Sequence, residues 1–259
     1  MNPHKRTGTV TSPTPSPGRQ DPEPGEPTGG ALYVVATPLG NLGDITGRGV
    51  ETLRRVDLVL CEDTRRTRIL LSHYGISVRT LSLHEHNERA RVEAVLGRLA
   101  DGAQVALVSD AGTPAVSDPG YRLVDAAALG GFAVVPIPGP SAVTALLSVA
   151  GLPADRYVFE GFLPPKPGRR ARRLAELAAE TRTIVLFESP HRIARTLAEL
   201  LAAWGDRRCC LGRELTKRFE EIRHGRLSDL ATYLGSRAVK GEITLAVAGM
   251  DAKMAAVVE

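Results

Sequence analysis

Apolar residues arrive in short bursts along this chain, separated by polar or glycine- and proline-rich stretches. ALYVVA at 31–36 is one such burst, and it stops at TPLGNLGD. A run that short, closed by Pro and Gly, predicts a buried strand followed by a loop. In GVETLRRVDLVLCEDT, Val50, Leu53 and Val56 share one face and predict a helix that leads into a second strand, DLVLCE. Residues 87–99 place Val92, Val95, Leu96 and Leu99 at helical spacing, with Asn87 as the cap. AQVALVS follows as a strand. Asp118-Pro119 then reads as the start of a helix, with Pro at its first position and Gly130 or Gly131 past its end. FAVVPIP predicts another strand and PGPSAVTALLSVAG another helix.

The same alternation continues beyond Gly151. RTIVLFE, RRCCLGRE and GEITLAVAG read as strands, and RLSDLATYLGS as a helix. The helix expected at 190–204 is well marked. Ser189 is its cap, Pro190 its first residue, Ile193, Leu197, Leu200, Leu201 and Trp204 its stripe, and Gly205 its end. Strand–helix alternation in the first half argues for a parallel α/β sheet. The expected organisation is a tail at 1–29, α/β domains at 30–145 and 146–250, and a short tail at 251–259. No internal repeat is visible.

Composition narrows the classes. The chain has 259 residues, 43% hydrophobic and 24% charged, as ordinary globular proteins do. Residues 1–29 are rich in Pro, Gly, Ser and Thr and predict disorder, without the apolar centre of a signal peptide. No stretch is apolar enough to span a bilayer. The three cysteines, Cys61, Cys209 and Cys210, lack metal spacing, and their sparse, odd count suits a reducing, cytoplasmic setting. A net charge of +4 leans mildly towards a polyanionic partner.

Three strand ends carry more turn chemistry than a turn needs. Thr37-Pro38-Leu39-Gly40 follows the first strand, Pro138-Gly139-Pro140-Ser141 a later one, and SDAGTPAVSDPG runs on from Ser109 and Asp110. Ligands of open α/β sheets bind beyond the carboxyl ends of strands, so these loops together predict one pocket. The chain lacks GxxxxGK[ST], lacks GxGxxG after its first strand, and has no metal-ligand cluster. A phosphate-poor cofactor and no metal are expected.

Nine segments, in order, carry a resemblance: VATPLGNLGDIT, CEDTRRT, LHEHNE, SDAGTPAVSDPGY, PGPSAVTALLSVAGLP, FEGFLPPK, FESPHRI, RELTK and KGEITLAVAG. Over about residues 31–250 the chain resembles the tetrapyrrole methylase superfamily, and within it the family of small-subunit ribosomal RNA methyltransferases. The resemblance implies two α/β domains of the class III methyltransferase type, with S-adenosylmethionine (SAM) in the interdomain cleft. It implies a homodimer that methylates a cytidine ribose 2′-hydroxyl in the decoding region of 16S rRNA, within the small ribosomal subunit. It assigns SAM contacts to Pro38, Ser109, Asp110, Thr113, Ser141 and Ala142, and further ones to Phe187, Glu188 and Leu215.

A 2′-hydroxyl is a poor nucleophile and needs a base or a cation that favours the alkoxide. LHEHNE supplies His84 and Glu85 as candidate bases; FESPHR and RELTK hold further charged groups. RNA phosphates need cations. Lys166, Arg169, Arg170, Arg172 and Arg173 lie on a loop and helix start, where positive charge opposes the helix dipole. Arg65, Arg66 and Arg192 add to this set. Aromatic residues are only 4%, so extensive base stacking is not expected. Two other readings share these loops: a SAM-dependent methylase of a tetrapyrrole or other small molecule, and a ribosome-assembly factor that holds SAM as a structural ligand.

Overall fold

A computed structural model describes residues 29–84, 87–235 and 239–250. The tails expected at 1–29 and 251–259 lie almost wholly outside them.

The first half runs β1 (Ala31–Val35), α1 (Gly47–Arg55), β2 (Leu58–Cys61), α2 (Thr64–His73), β3 (Arg79–Ser82), α3 (Glu88–Ala100), β4 (Gln104–Leu107), α4 (Tyr121–Leu129) and β5 (Ala133–Ile137). The alternation is as the pattern predicts, with α2 and β3 added between the second strand and the helix after Asn87. The sheet order is β3-β2-β4-β1-β5, and every pairing is parallel. Side chains alternate across a strand, so a sheet buried on both faces needs continuous apolar runs. Val35, Val59, Cys61 and Ala106 pack on the α1 side, with Val50 and Leu53. Leu32, Leu58, Leu60, Val105 and Leu107 pack on the other, against α3 and α4. β1 and β4 are neighbours, yet their outgoing connections run to opposite sides of the sheet. Such a switch point opens a crevice at the strand ends.

The second sheet comprises β6 (Tyr157–Phe162), β7 (Thr183–Glu188), β8 (Arg208–Arg213), β9 (Glu221–Arg226) and β10 (Ile243–Val247), in the order β6-β7-β10-β8-β9. Only β6 and β7 pair in parallel; the remaining pairings are antiparallel. One face packs on α6 (Pro167–Ala178), α7 (Ile193–Trp204) and α8 (Leu227–Gly235). The other face takes α5 (Ala142–Val149), through Val143, Leu146 and Leu147, together with Leu39 from the loop after β1. α5 follows the first sheet in the chain but packs on the second. Cys209 and Cys210, adjacent in sequence, are buried on opposite faces of this sheet.

Two helix starts differ from expectation. α7 begins at Ile193, not Pro190: the Ser189 carbonyl accepts the amides of Arg192 and Ile193, and its hydroxyl accepts that of His191. These bonds wind 189–192 into a separate turn. α4 begins at Tyr121, because Gly120 has φ 124°, outside helical space. Gly130 and Gly205 close α4 and α7 as the pattern indicates. Among the described residues no helix is long and apolar enough to cross a membrane.

Candidate functional site

The loops after β1, β4 and β5 are bonded to one another. Thr37 and Gly112 form an isolated two-way bridge, with N–H···O distances of 2.8 and 3.0 Å. The Thr37 hydroxyl donates to the Ser109 carbonyl at 3.0 Å, and the Thr113 hydroxyl to the Pro140 carbonyl at 3.3 Å. Gly112 has φ 80°, a conformation that favours glycine, and a side chain there would press lightly on the tip of Leu39.

The second half closes over these loops. Thr216 Oγ accepts the Asn41 amide at 3.2 Å, and the Lys217 stem lies where a Gly40 side chain would point. Lys217 is held by Glu214 at 2.9 Å and Glu242 at 3.0 Å.

Three hollows meet around Leu39. One of about 290 Å³ is lined by Pro38, Gly40, Arg66, Ser109, Asp110 and Lys217. A smaller one of about 70 Å³ holds Gly112, Thr113, Ser141, Ala142 and Phe187. A third, about 390 Å³, runs between Asp110, Ser117 and Asp118 on one side and Phe162, Phe187, Glu188 and Glu242 on the other. A cleft between two α/β halves, floored by short polar loops, is thus in place.

Residues 31–231 match the family model described as Tetrapyrrole (Corrin/Porphyrin) Methylases. A ribosomal RNA small subunit methyltransferase I from Mesorhizobium japonicum is 52% identical over 232 residues, covering 89% of this chain and 79% of the relative. Its namesake from Thermotoga maritima is 46% identical, covering 86% of this chain and all of the relative. The chain belongs to the tetrapyrrole methylase family, among its ribosomal RNA small subunit methyltransferases I. Two solved structures share the fold of this methyltransferase. A cobalt precorrin-4 methyltransferase has a TM-score of 0.62 at 23% identity, covering 83% of this chain and 94% of its own. A uroporphyrin III C-methyl transferase from Thermus thermophilus has 0.61 at 19%, covering 83% and 96%.

Eight of the nine residues assigned to SAM border the methyltransferase's hollows: Pro38, Ser109, Asp110, Thr113, Ser141, Ala142, Phe187 and Glu188. Leu215 lies behind them, 9% exposed in the apolar cluster that contains Leu39. Asp110 accepts the Asp63 amide at 3.1 Å and faces Arg66 at 3.6 Å. Glu188 is not available as a side-chain ligand. Its carboxylate is 1% exposed and accepts from the Ser189 amide, Arg192, Thr196 and Arg170.

That network corrects the basic set. Arg170 is 4% exposed, clamped between Glu188 and Glu199, and bonded to the Thr196 hydroxyl. It is an internal anchor between α6 and α7, so it is not a phosphate contact. Arg173 grips Glu160 and Glu176, whose hydrogen bonds raise its pKa. Arg192 pairs with Glu188 at 2.8 Å. Arg65 binds Asp63 and pulls that carboxyl down to about 2. Lys166, Arg169 and Arg172 project into solvent, Arg172 with a partner, Glu176, at 3.0 Å. Cations opposed to a helix dipole need not face a ligand when glutamates on neighbouring elements can hold them.

Of the two candidate bases, Glu85 lies outside the described residues. His84 has its Nε2 3.0 Å from Asn87 Nδ2 and lines none of the three hollows around Leu39. Asp118, expected as a helix cap, instead lies in the cleft, where burial and the Glu62 charge raise its pKa to about 6. The available signal was a carboxylate between Ser117 and Pro119 inside a loop already read as lining a ligand. Leu39, within a loop read as lining the pocket, and Lys217, one of the charged groups of RELTK, both line it. Glu242 was missed, because its role arises only when the halves close.

Proposed function

We propose that this methyltransferase transfers the methyl group of SAM to the ribose 2′-hydroxyl of a cytidine in the decoding region of 16S rRNA, acting on the small ribosomal subunit. The observation that carries the reading is the lacing of the three loops into one cleft, in a chain whose relatives are named for methylating small-subunit rRNA.

The residues present fit SAM. Gly112 offers backbone without a side chain, and the N-terminus of α5 has no side-chain cap, which leaves its first amides for a ligand. The Asp110 carboxylate suits a cationic donor. Pro38, Ser109, Thr113, Ser141, Ala142 and Phe187 would form the walls, with Leu215 behind them. When bound, SAM supplies an activated methyl group. The chain's part is to hold donor and acceptor in line and exclude water, which can account for much of the rate. Arg169, Arg172 and Lys166 supply exposed charge for RNA phosphates. A homodimer belongs to this reading, and the open edge strand β5 with exposed Leu129 offers it a surface.

Tritium transfer from labelled SAM to undermethylated small subunits, with the modified nucleotide mapped, tests the reading. Label on a cytidine 2′-oxygen in the decoding region is the expected result. SAM binding without label on RNA would favour the small-molecule methylase.

A further inference from the structure

Asp118 stands where the cleft meets its surroundings. It lines the hollow shared with Leu39 and Phe162, the smaller hollow at Thr113 and Ser141, and an outer hollow of about 350 Å³ beside Tyr121 and Arg122. The first two contain six of the nine residues assigned above to the methyl donor: Asp110, Thr113, Ser141, Ala142, Phe187 and Glu188. The third opens past Tyr121, which is 68% exposed. The Asp118 carboxylate therefore borders both the donor hollows and this outer, solvent-facing one.

Glu62, whose pKa is raised by burial and the Asp110 charge, lines none of these three hollows, and the other neighbouring carboxylates are engaged. Asp110 holds the Asp63 amide and Arg66, Glu188 is enclosed by its arginines, Glu242 pairs with Lys217, and Glu88 accepts backbone amides. Among the described residues no lysine or arginine pairs with Asp118. Burial and the charges of Glu62, Asp110 and Glu242 raise its pKa to about 6, while the Ser109 hydroxyl pulls it back. Arg66 and Arg122 are the cations that share its hollows.

The backbone around it is strained. Ala115 and Ser117 have φ of 65° and 62°, left-handed values that non-glycine residues adopt only where the surroundings enforce them. Here β6 presses on the loop: a side chain on Gly161 would meet Ser117 Oγ at 2.7 Å. Such strain gathers at functional sites.

We propose, on the reading that the reaction is ribose 2′-O-methylation, that Asp118 is its catalytic proton acceptor. The carboxylate takes the hydroxyl proton. The oxygen's electron pair forms the bond to the donor's methyl carbon. The carbon–sulfur bond breaks, and its pair stays on sulfur. The proton then leaves Asp118 for water. A base that titrates just below neutral pH is ionised at working pH and still basic enough to accept.

The test compares parent, Asp118→Asn and Asp118→Glu for methyl transfer to undermethylated subunits, SAM binding by calorimetry, and thermal melting against pH. Asp118→Asn should lose about 10²–10⁴-fold in transfer while retaining SAM binding. The acidic limb near pH 6 in the parent's rate profile should vanish in Asp118→Asn, and Asp118→Glu should restore part of the rate. Asp118→Asn should also melt above the parent at neutral pH. An active parent with an equally active Asp118→Asn, or with the acidic limb unchanged, overturns the proposal alone. Asp118→Asn melting below the parent at neutral pH marks a structural role and also overturns it. A parent that binds SAM and labels no subunit overturns the rRNA reading, and this proposal with it.

Discussion

Glu88, the first residue of α3, accepts the Gly120 amide at 3.1 Å and the Arg122 amide at 3.0 Å on one carboxylate oxygen. Gly120 has no side chain to cap α4, so a residue 32 positions earlier does it. The carboxylate is buried beside the helix's positive end, where charge and hydrogen bonds act together. It also fixes the end of the strained loop that carries Asp118.

Removing that acceptor leaves amides buried and unmatched. Glu88→Ala should cost about 2 kcal/mol of stability in urea unfolding. Glu88→Gln keeps an oxygen in place and should cost less than half as much. Equal losses would show that charge, not hydrogen bonding, fastens α4.

Arg170 and Arg172 sit two residues apart and should behave oppositely. Arg170→Ala removes one of the two cations on buried Glu188, together with the Glu199 pair and the Thr196 bond. Arg192 still holds Glu188, so the loss should be about 2–3 kcal/mol. Arg172, with a side chain 84% exposed, should be replaceable by Ala at little cost in stability. Arg169→Ala with Arg172→Ala should instead weaken RNA binding and flatten its salt dependence, by about one unit of slope for each phosphate no longer neutralised. Binding measured across a salt series checks this; an unchanged slope removes these arginines from the interface.

The inner strands of the first sheet, β1, β2 and β4, were legible because they are buried on both faces and the connections after β1 and β4 are rich in Pro and Gly. Val105 to Val108 and Ala31 to Val35 announce themselves. β9, EIRHGR, did not, since an edge strand with one wet face needs no apolar run. β6 is interrupted by Gly161 at φ 68°, which shifts its register against β7. β3 has only four residues, none of them buried. The antiparallel pairing of β10 between β7 and β8 has no local signature at all. The loops of the site were readable one by one. The closure of Lys217 over Gly40, the burial of Arg170 and the placement of Asp118 depend on packing between distant segments, which periodicity does not encode.

The cysteines offer a direct check of packing. Burial pushes the Cys209 thiol up to about 12 and Cys210 to about 11, and raises Cys61 as well. Thiolate is the reactive form, so all three should resist alkylation near neutral pH in the folded protein and react together on unfolding. Rapid labelling of one thiol under native conditions would show that its sheet face opens.

Asp118 links stability to pH with a definite sign. Its pKa in the folded protein, about 6, lies above the unfolded value of 3.8, so folding favours the protonated acid. The stabilisation from this group is complete below the unfolded value and is lost as pH rises through about 6. A shift of this size corresponds to about 3 kcal/mol at most; part of the side chain faces solvent, so about 1–2 kcal/mol is expected. Asp118→Asn removes the charge and keeps the shape. It should match the parent near pH 4 and exceed it by about 1–2 kcal/mol near pH 8, read from urea unfolding at both values. A stabilising change that abolishes methyl transfer is what a carboxylate held for chemistry at the expense of the fold predicts. Parallel stability curves for the two proteins across this range would mean that Asp118 ionises as freely in the cleft as in the unfolded chain.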